Sequence, residues 1–130
     1  MPETSGPPVA TGDFHIEEEP HGTGLVFLAI YGDTDLHVAN ELRGQLSSAI
    51  AERASSLVID LTGVTFIDSM GLGALLGTMK RLQGKGGQFR LVVPKGDIRR
   101  VFEMTLLDRV FEIHATRDAA LAAARSSSAR

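Results

Sequence analysis

Val64 to Gly77 reads VTFIDSMGLGALLG, an apolar run that stops at Asp68 and passes into a stretch of leucines and glycines. Leu72, Leu75, Leu76 and Met79 recur at i, i+3, i+4 and i+7, the stripe of an amphipathic helix. That helix is expected to start at Asp68 and to reach about Leu82, with Gly84, Gly86 and Gly87 as its stop signal. Upstream, Leu57 to Leu61 (LVIDL) has the length and composition of a strand, and Val64 to Ile67 (VTFI) continues its apolar character.

The same alternation extends in both directions. Phe14 to Glu18 (FHIEE) alternates apolar and polar, as a half-buried strand does. Pro20 to Gly24 (PHGTG) is a turn cluster, and Leu25 to Tyr31 (LVFLAIY) is a continuous apolar run. Two strands joined so closely should form an antiparallel hairpin. Gly32 to Asp35 (GDTD) is expected to break the second strand, with Asp35 or Thr34 capping a helix that runs to about Arg53 on Val38, Leu42, Leu46, Ala49 and Ile50. Downstream, Phe89 to Val93 (FRLVV) reads as a strand closed by Pro94. Asp97 is expected to cap a helix in which Ile98, Val101, Phe102 and Thr105 share a face. Val110 to Ile113 (VFEI) reads as a short last strand, and Thr116 to Arg125 as an Ala-rich helix capped by Thr116.

The order β-β-α-β-α-β-α-β-α implies an α/β fold. A mixed five-stranded sheet is expected, mostly parallel, with right-handed crossovers and helices mainly on one face. Met1 to Gly12 lacks apolar periodicity and is expected to be a disordered tail. Residues 13–125 form the domain, and Ser126 to Arg130 a frayed end.

Composition narrows the function. The 130 residues suit one domain, and 43% of them are hydrophobic. There is no cysteine, which removes disulfides, thiolate metal sites and a cysteine nucleophile. The net charge of −3 argues against direct nucleic-acid binding, which needs a basic footprint. No segment approaches the ~20 apolar residues of a membrane span, and no signal peptide is evident. The chain reads as soluble and cytoplasmic, with no membrane partner and no cofactor.

The chemistry concentrates where the strand becomes the helix. As N-cap, the Asp68 carboxylate would accept from the N–H of Met70 or Gly71. Ser69 then lies in the first helical turn, where N–H groups lack intrahelical partners and the helix dipole is positive. A phosphate on Ser69 is tolerated there, and it adds about −1.5 to −2 charge beside Asp68. A serine in a first helical turn is also common for capping reasons alone, so the local pattern leaves its modification open. Gly71, Gly73 and Gly77 leave one side of the helix nearly smooth. Each disfavours the helix by roughly 0.5–1 kcal/mol relative to alanine. Close packing within the domain and a flat surface for a partner explain this equally well.

Enzymatic readings fit poorly. The glycines read G-x-G-x-x-x-G, neither the dinucleotide-binding fingerprint nor a P-loop. The G-x-S-x-G elbow of a serine hydrolase is absent around Ser69, and His15, His21, His37 and His114 are scattered without motif spacing. Glu17, Glu18 and Glu19 alternate faces on a strand and do not converge on a metal; they protect a sheet edge. A phosphoacceptor of the receiver type needs acidic residues clustered at strand ends, and Asp60 lies within a strand run.

The stretch IDSMGLGALL (Ile67 to Leu76) resembles the signature of the STAS family, named for sulphate transporters and anti-sigma factor antagonists. GDTDLHVANELR (Gly32 to Arg43) resembles the family's lead into its first helix, and IRRVFEMTLLDRVFEI (Ile98 to Ile113) its third helix and last strand. The similarity spans about Phe14 to Ala124. Two positions depart from the pattern: Met70 stands where relatives often have a second serine, and Thr34 where an apolar residue is usual.

The resemblance implies an anti-sigma factor antagonist that is not an enzyme. By position Ser69 is the phosphorylated serine. The unphosphorylated form binds an anti-sigma factor that is a serine kinase of the GHKL type, and a PP2C-type serine phosphatase restores it. Asp68 caps the helix beside the phosphosite. The partner surface is expected to include Gly32, Asp33, Asp35, His37, Met70, Gly71 and Leu72. The rival within the family is a scaffold or interaction subunit of a stress-signalling or transport complex.

Overall fold

Leu25 to Ile30 is apolar at every position because both of its faces are covered. Leu28 and Ile30 face one core, whereas Leu25, Phe27 and Ala29 face another on the opposite side of the sheet. A computed structural model of the chain describes residues 13–22, 24–51 and 55–128; the tail expected at Met1 to Gly12 lies outside them. Strands β1 (His15–Pro20) and β2 (Leu25–Thr34) form the antiparallel hairpin. Helix α1 (Ala39–Ala51), β3 (Ser56–Ile67), α2 (Ser69–Gly84), β4 (Gln88–Val92), α3 (Asp97–Met104), β5 (Ile113–His114) and α4 (Arg117–Ser128) follow. The five strands lie in the order β1-β2-β3-β4-β5, and every pair after the first is parallel.

Each parallel neighbour requires a crossover, and right-handed crossovers running in one direction put their helices on one face. Leu42 and Leu46 of α1, Leu75 and Leu82 of α2 and Phe102 of α3 bury there against Leu57, Ile59 and Leu91. Phe89, Phe102 and Phe111 close the α3 end of this core, with ring centroids 5.7–5.8 Å apart. Helix α4 alone covers the other face, through Ala120, Leu121 and Ala124. The Thr116 hydroxyl caps it by accepting from the Ala119 N–H at 3.1 Å. Arg90 is buried on β4 and donates to Glu112 at 2.6 Å. Burial pushes the Glu112 carboxyl up, but the hydrogen bonds from His114 and Arg90 outweigh it and hold the group below its usual range.

Several local expectations are corrected. Gly32 does not break β2: the strand runs on to Thr34, pairing with β3 across two register shifts. Thr34 and Asp35 therefore cap no helix. Asp35 instead closes a turn by accepting from the His37 N–H at 3.0 Å, and α1 begins at Ala39. The expected helix end at Arg53 lies outside the described residues. Asp97 is the first helical residue of α3, after Gly96 in the cap position, and the Thr105 hydroxyl ends that helix by donating to Val101 O at 2.7 Å. The last strand is Ile113–His114, because Leu107–Arg109 forms a 3-10 turn that swings Phe111 into the core and leaves Val110 exposed. Helix α4 passes Arg125 and reaches Ser128, since no glycine or proline stops it there.

Candidate functional site

The site is made where three segments meet: the end of β2, the end of β3 and the first turn of α2. The parallel register sets Thr34 beside Ile67 and Asp33 beside Phe66. Asp68 then leaves the sheet with extended backbone, φ −113° and ψ −174°. One carboxylate oxygen accepts from the N–H groups of Met70 and Gly71, each at 3.0 Å. The other accepts from the Leu36 N–H at 3.1 Å. The Asp68 N–H donates to Thr34 O at 3.3 Å. The expected helix cap is present, and the same side chain also holds the loop between β2 and α1.

Gly71 explains how the segments come so close. A Cβ at this position would lie 2.5 Å from Thr34 O, a backbone atom. For Gly71 the packing explanation of the helix glycines therefore holds. Gly73 and Gly77 differ, for a Cβ at either would meet nothing within 4 Å. Gly32 is a packing residue as well, with φ +89° and a Cβ position 1.9 Å from Asp13 O. Leu72 is part of the main core. Gly32, Gly71 and Leu72, expected on a partner surface, are buried.

What reaches solvent is a small patch. Ser69 is exposed as the first residue of α2, and its hydroxyl has no hydrogen-bond partner among the described residues. Met70, next to it in the chain, and His37, on the loop between β2 and α1, are also exposed, and Asp33, Asp35 and Asp68 are half-buried. Asp33 accepts from the Thr65 hydroxyl at 2.6 Å, which fixes its carboxylate. Three carboxylates thus belong to the segments that converge on Ser69, and no base is bonded to its hydroxyl. Such a serine is displayed, and no described side chain of this protein activates it. Among the described residues no group of His, Asp and Glu is arranged to hold a metal ion, and no helix is long and apolar enough to cross a membrane.

Two exposed apolar side chains went unremarked in the sequence. Leu36 is 62% exposed on the loop that Asp68 holds, and Phe66 is 49% exposed one residue before the core residue Ile67. Period-2 alternation gave the signal for Phe66, since an inward Ile67 turns its neighbour outward. Beneath the patch, Thr34 is fully buried and its hydroxyl has no partner among the described residues.

The fold agrees with comparisons to known proteins. The family described as STAS domain matches residues 17–120. The anti-sigma-F factor antagonist RsfB of Mycobacterium tuberculosis is 32% identical over 102 residues, covering 78% of this chain and 83% of that protein. The crystal structure of an anti-sigma factor antagonist from Mycobacterium paratuberculosis is 33% identical, with a TM-score of 0.80 over 87% of this chain and 95% of its own. The Bacillus cell fate determinant SpoIIAA in its phosphorylated form is 26% identical, with a TM-score of 0.65 over 82% and 96% of the two chains. These relatives bear the names of regulators, not of enzymes. By its matched residues and by its fold, the chain belongs to the STAS domain family.

Proposed function

We propose that this chain is an anti-sigma factor antagonist switched by phosphorylation of Ser69. Unphosphorylated, it binds an anti-sigma factor serine kinase of the GHKL type and so frees a sigma factor for transcription in the cytoplasm. Phosphorylation ends the binding, and a PP2C-type serine phosphatase restores it. The chain is the substrate of its partner's activity and has none of its own.

The observation that carries this reading is the exposed, unpartnered Ser69 hydroxyl on a helix terminus whose cap is already complete. A phosphate added there keeps the favourable field of the helix N-terminus, so the fold survives it. It also adds about −1.5 to −2 charge beside Asp68, in a patch that already carries Asp33 and Asp35. Leu36, Phe66 and Met70 are exposed apolar residues of the segments that form this patch. A partner seated on them would have to desolvate a dianion, which weakens binding by a few kcal/mol, or about a hundredfold.

Intact-mass spectrometry after incubation with ATP and candidate anti-sigma kinases tests the reading. One added phosphate is expected, and none on Ser69→Ala. Ser69→Ala should stay bound to the kinase, and Ser69→Glu should bind roughly tenfold or more weakly. A kinase that binds without ever phosphorylating the chain would replace the switch by the scaffold role.

A further inference from the structure

Three shallow depressions run into one another along the seam between α1 and α2. The first, about 270 Å³, is bounded by Arg43, Gly73, Gly77 and Arg81. The second, about 230 Å³, shares Arg81 and reaches Ile50 and Lys85. The third, about 220 Å³, shares Ile50 and Lys85 and ends at Gly87. In sequence they make a groove along α2 from Gly73 to Lys85, ~18 Å at the rise of a helix, crossed by the Arg81 side chain where it reaches Ser47.

The floor of the groove is Ala74, Thr78 and Ile50, all buried. The depth of the first depression comes from Gly73 and Gly77, at neither of which a Cβ would meet another atom within 4 Å. Its described rim carries positive charge. Arg43, Arg81 and Lys85 line it, and they are the charged side chains among its described lining residues. Arg43 donates to Asn40 Oδ1 at 3.3 Å and Arg81 to Ser47 Oγ at 3.1 Å, both neutral oxygens. The guanidinium charges are therefore not neutralised by a described residue. In a chain of net charge −3, this is a local run of positive potential over an apolar floor.

We propose that the groove is a docking site for an acidic amphipathic helix of a partner protein. The small apolar face of that helix lies on Gly73 and Gly77, and its carboxylates pair with Arg43, Arg81 and Lys85. A nucleic acid fits less well: it leaves the apolar floor unused and draws on more cations than three. The groove begins one helical turn beyond Ser69 and leads away from it. This second surface stands or falls separately from the switch at Ser69.

The test is a titration of the full-length chain, by amide chemical shifts, with a synthetic helical peptide. The peptide carries alanine and leucine on one face and flanking glutamates. Saturable shifts are expected at Ser47, Gly73, Gly77 and Arg81. Binding should weaken roughly tenfold in the Arg81→Glu/Lys85→Glu double variant and stay unchanged in Ser69→Ala. Gly77→Leu should fold with an equal or higher Tm and block the peptide. Equal binding of a peptide with glutamines for glutamates, shifts centred elsewhere, or no binding at millimolar peptide overturns the proposal. Preferential binding of a single-stranded oligonucleotide at these residues overturns it in favour of a nucleic-acid surface.

Discussion

The first turn of α2 and its middle are both built on glycine, yet they meet the rest of the molecule differently. At Gly71 the helix presses on Thr34 O, and no side chain fits between them. At Gly73 and Gly77 the same residue type faces open space. The first turn is a joint, tied by Asp68 to the Leu36 loop, whereas the middle is a surface. A glycine pattern in a sequence does not say which of these it is. The neighbouring element decides, and here the neighbour of the first turn is a strand that continues past its own glycine.

Substitutions at the two kinds of glycine differ in the sign of their effect. Gly71→Ala forces a Cβ against a backbone oxygen, and it should destabilise the fold by about 3 kcal/mol in urea unfolding. Unchanged stability would mean the joint has slack, and the comparison would collapse. Asp68→Ala removes the cap and the loop tether together and should lose about 2 kcal/mol. Faster hydrogen exchange at the Leu36 amide should accompany the loss; an unaltered Leu36 amide would confine Asp68 to capping. Thr34→Val replaces a buried hydroxyl that has no partner among the described residues, so it should raise stability by about 1 kcal/mol. A loss instead would show that the hydroxyl finds a partner, such as water. Gly77→Ala, on the open side, should raise stability by roughly 0.5–1 kcal/mol and shift the thermal midpoint upward. A fall in midpoint there would place Gly77 with Gly71.

The architecture was legible because every long apolar run carries its period openly. The stripe from Leu72 to Met79 and the two-faced run of β2 leave little choice of element or topology. Asp68 as cap and Ser69 as an exposed first-turn serine were legible for the same reason, since caps are local. Long-range pairing was not legible. Glycine and aspartates at 32–35 look like a break, and only β3 lying alongside draws Gly32 to Thr34 into the sheet. The shortening of β5 follows from Phe111 turning toward Phe89 and Phe102, a choice that local alternation does not record. Burial at the site was the other blind spot. Gly32, Gly71 and Leu72 sit within the motif but beneath its surface, while Leu36 reaches solvent because Asp68 holds its loop across 32 residues of sequence.

The placement of Ser69 between two fixed points limits what kind of enzyme can act on it. Ile67 is anchored in the core on one side, and Gly71 is wedged against Thr34 on the other. A catalytic cleft that threads its target as an extended peptide would first have to unwind the opening turn of α2 and break the three hydrogen bonds that Asp68 accepts. An enzyme that modifies the native chain must instead take a serine offered at the end of a rigid helix. Its selectivity then lies in the fit between two folded surfaces, and a short synthetic peptide spanning Ser69 is a poor substitute for the domain.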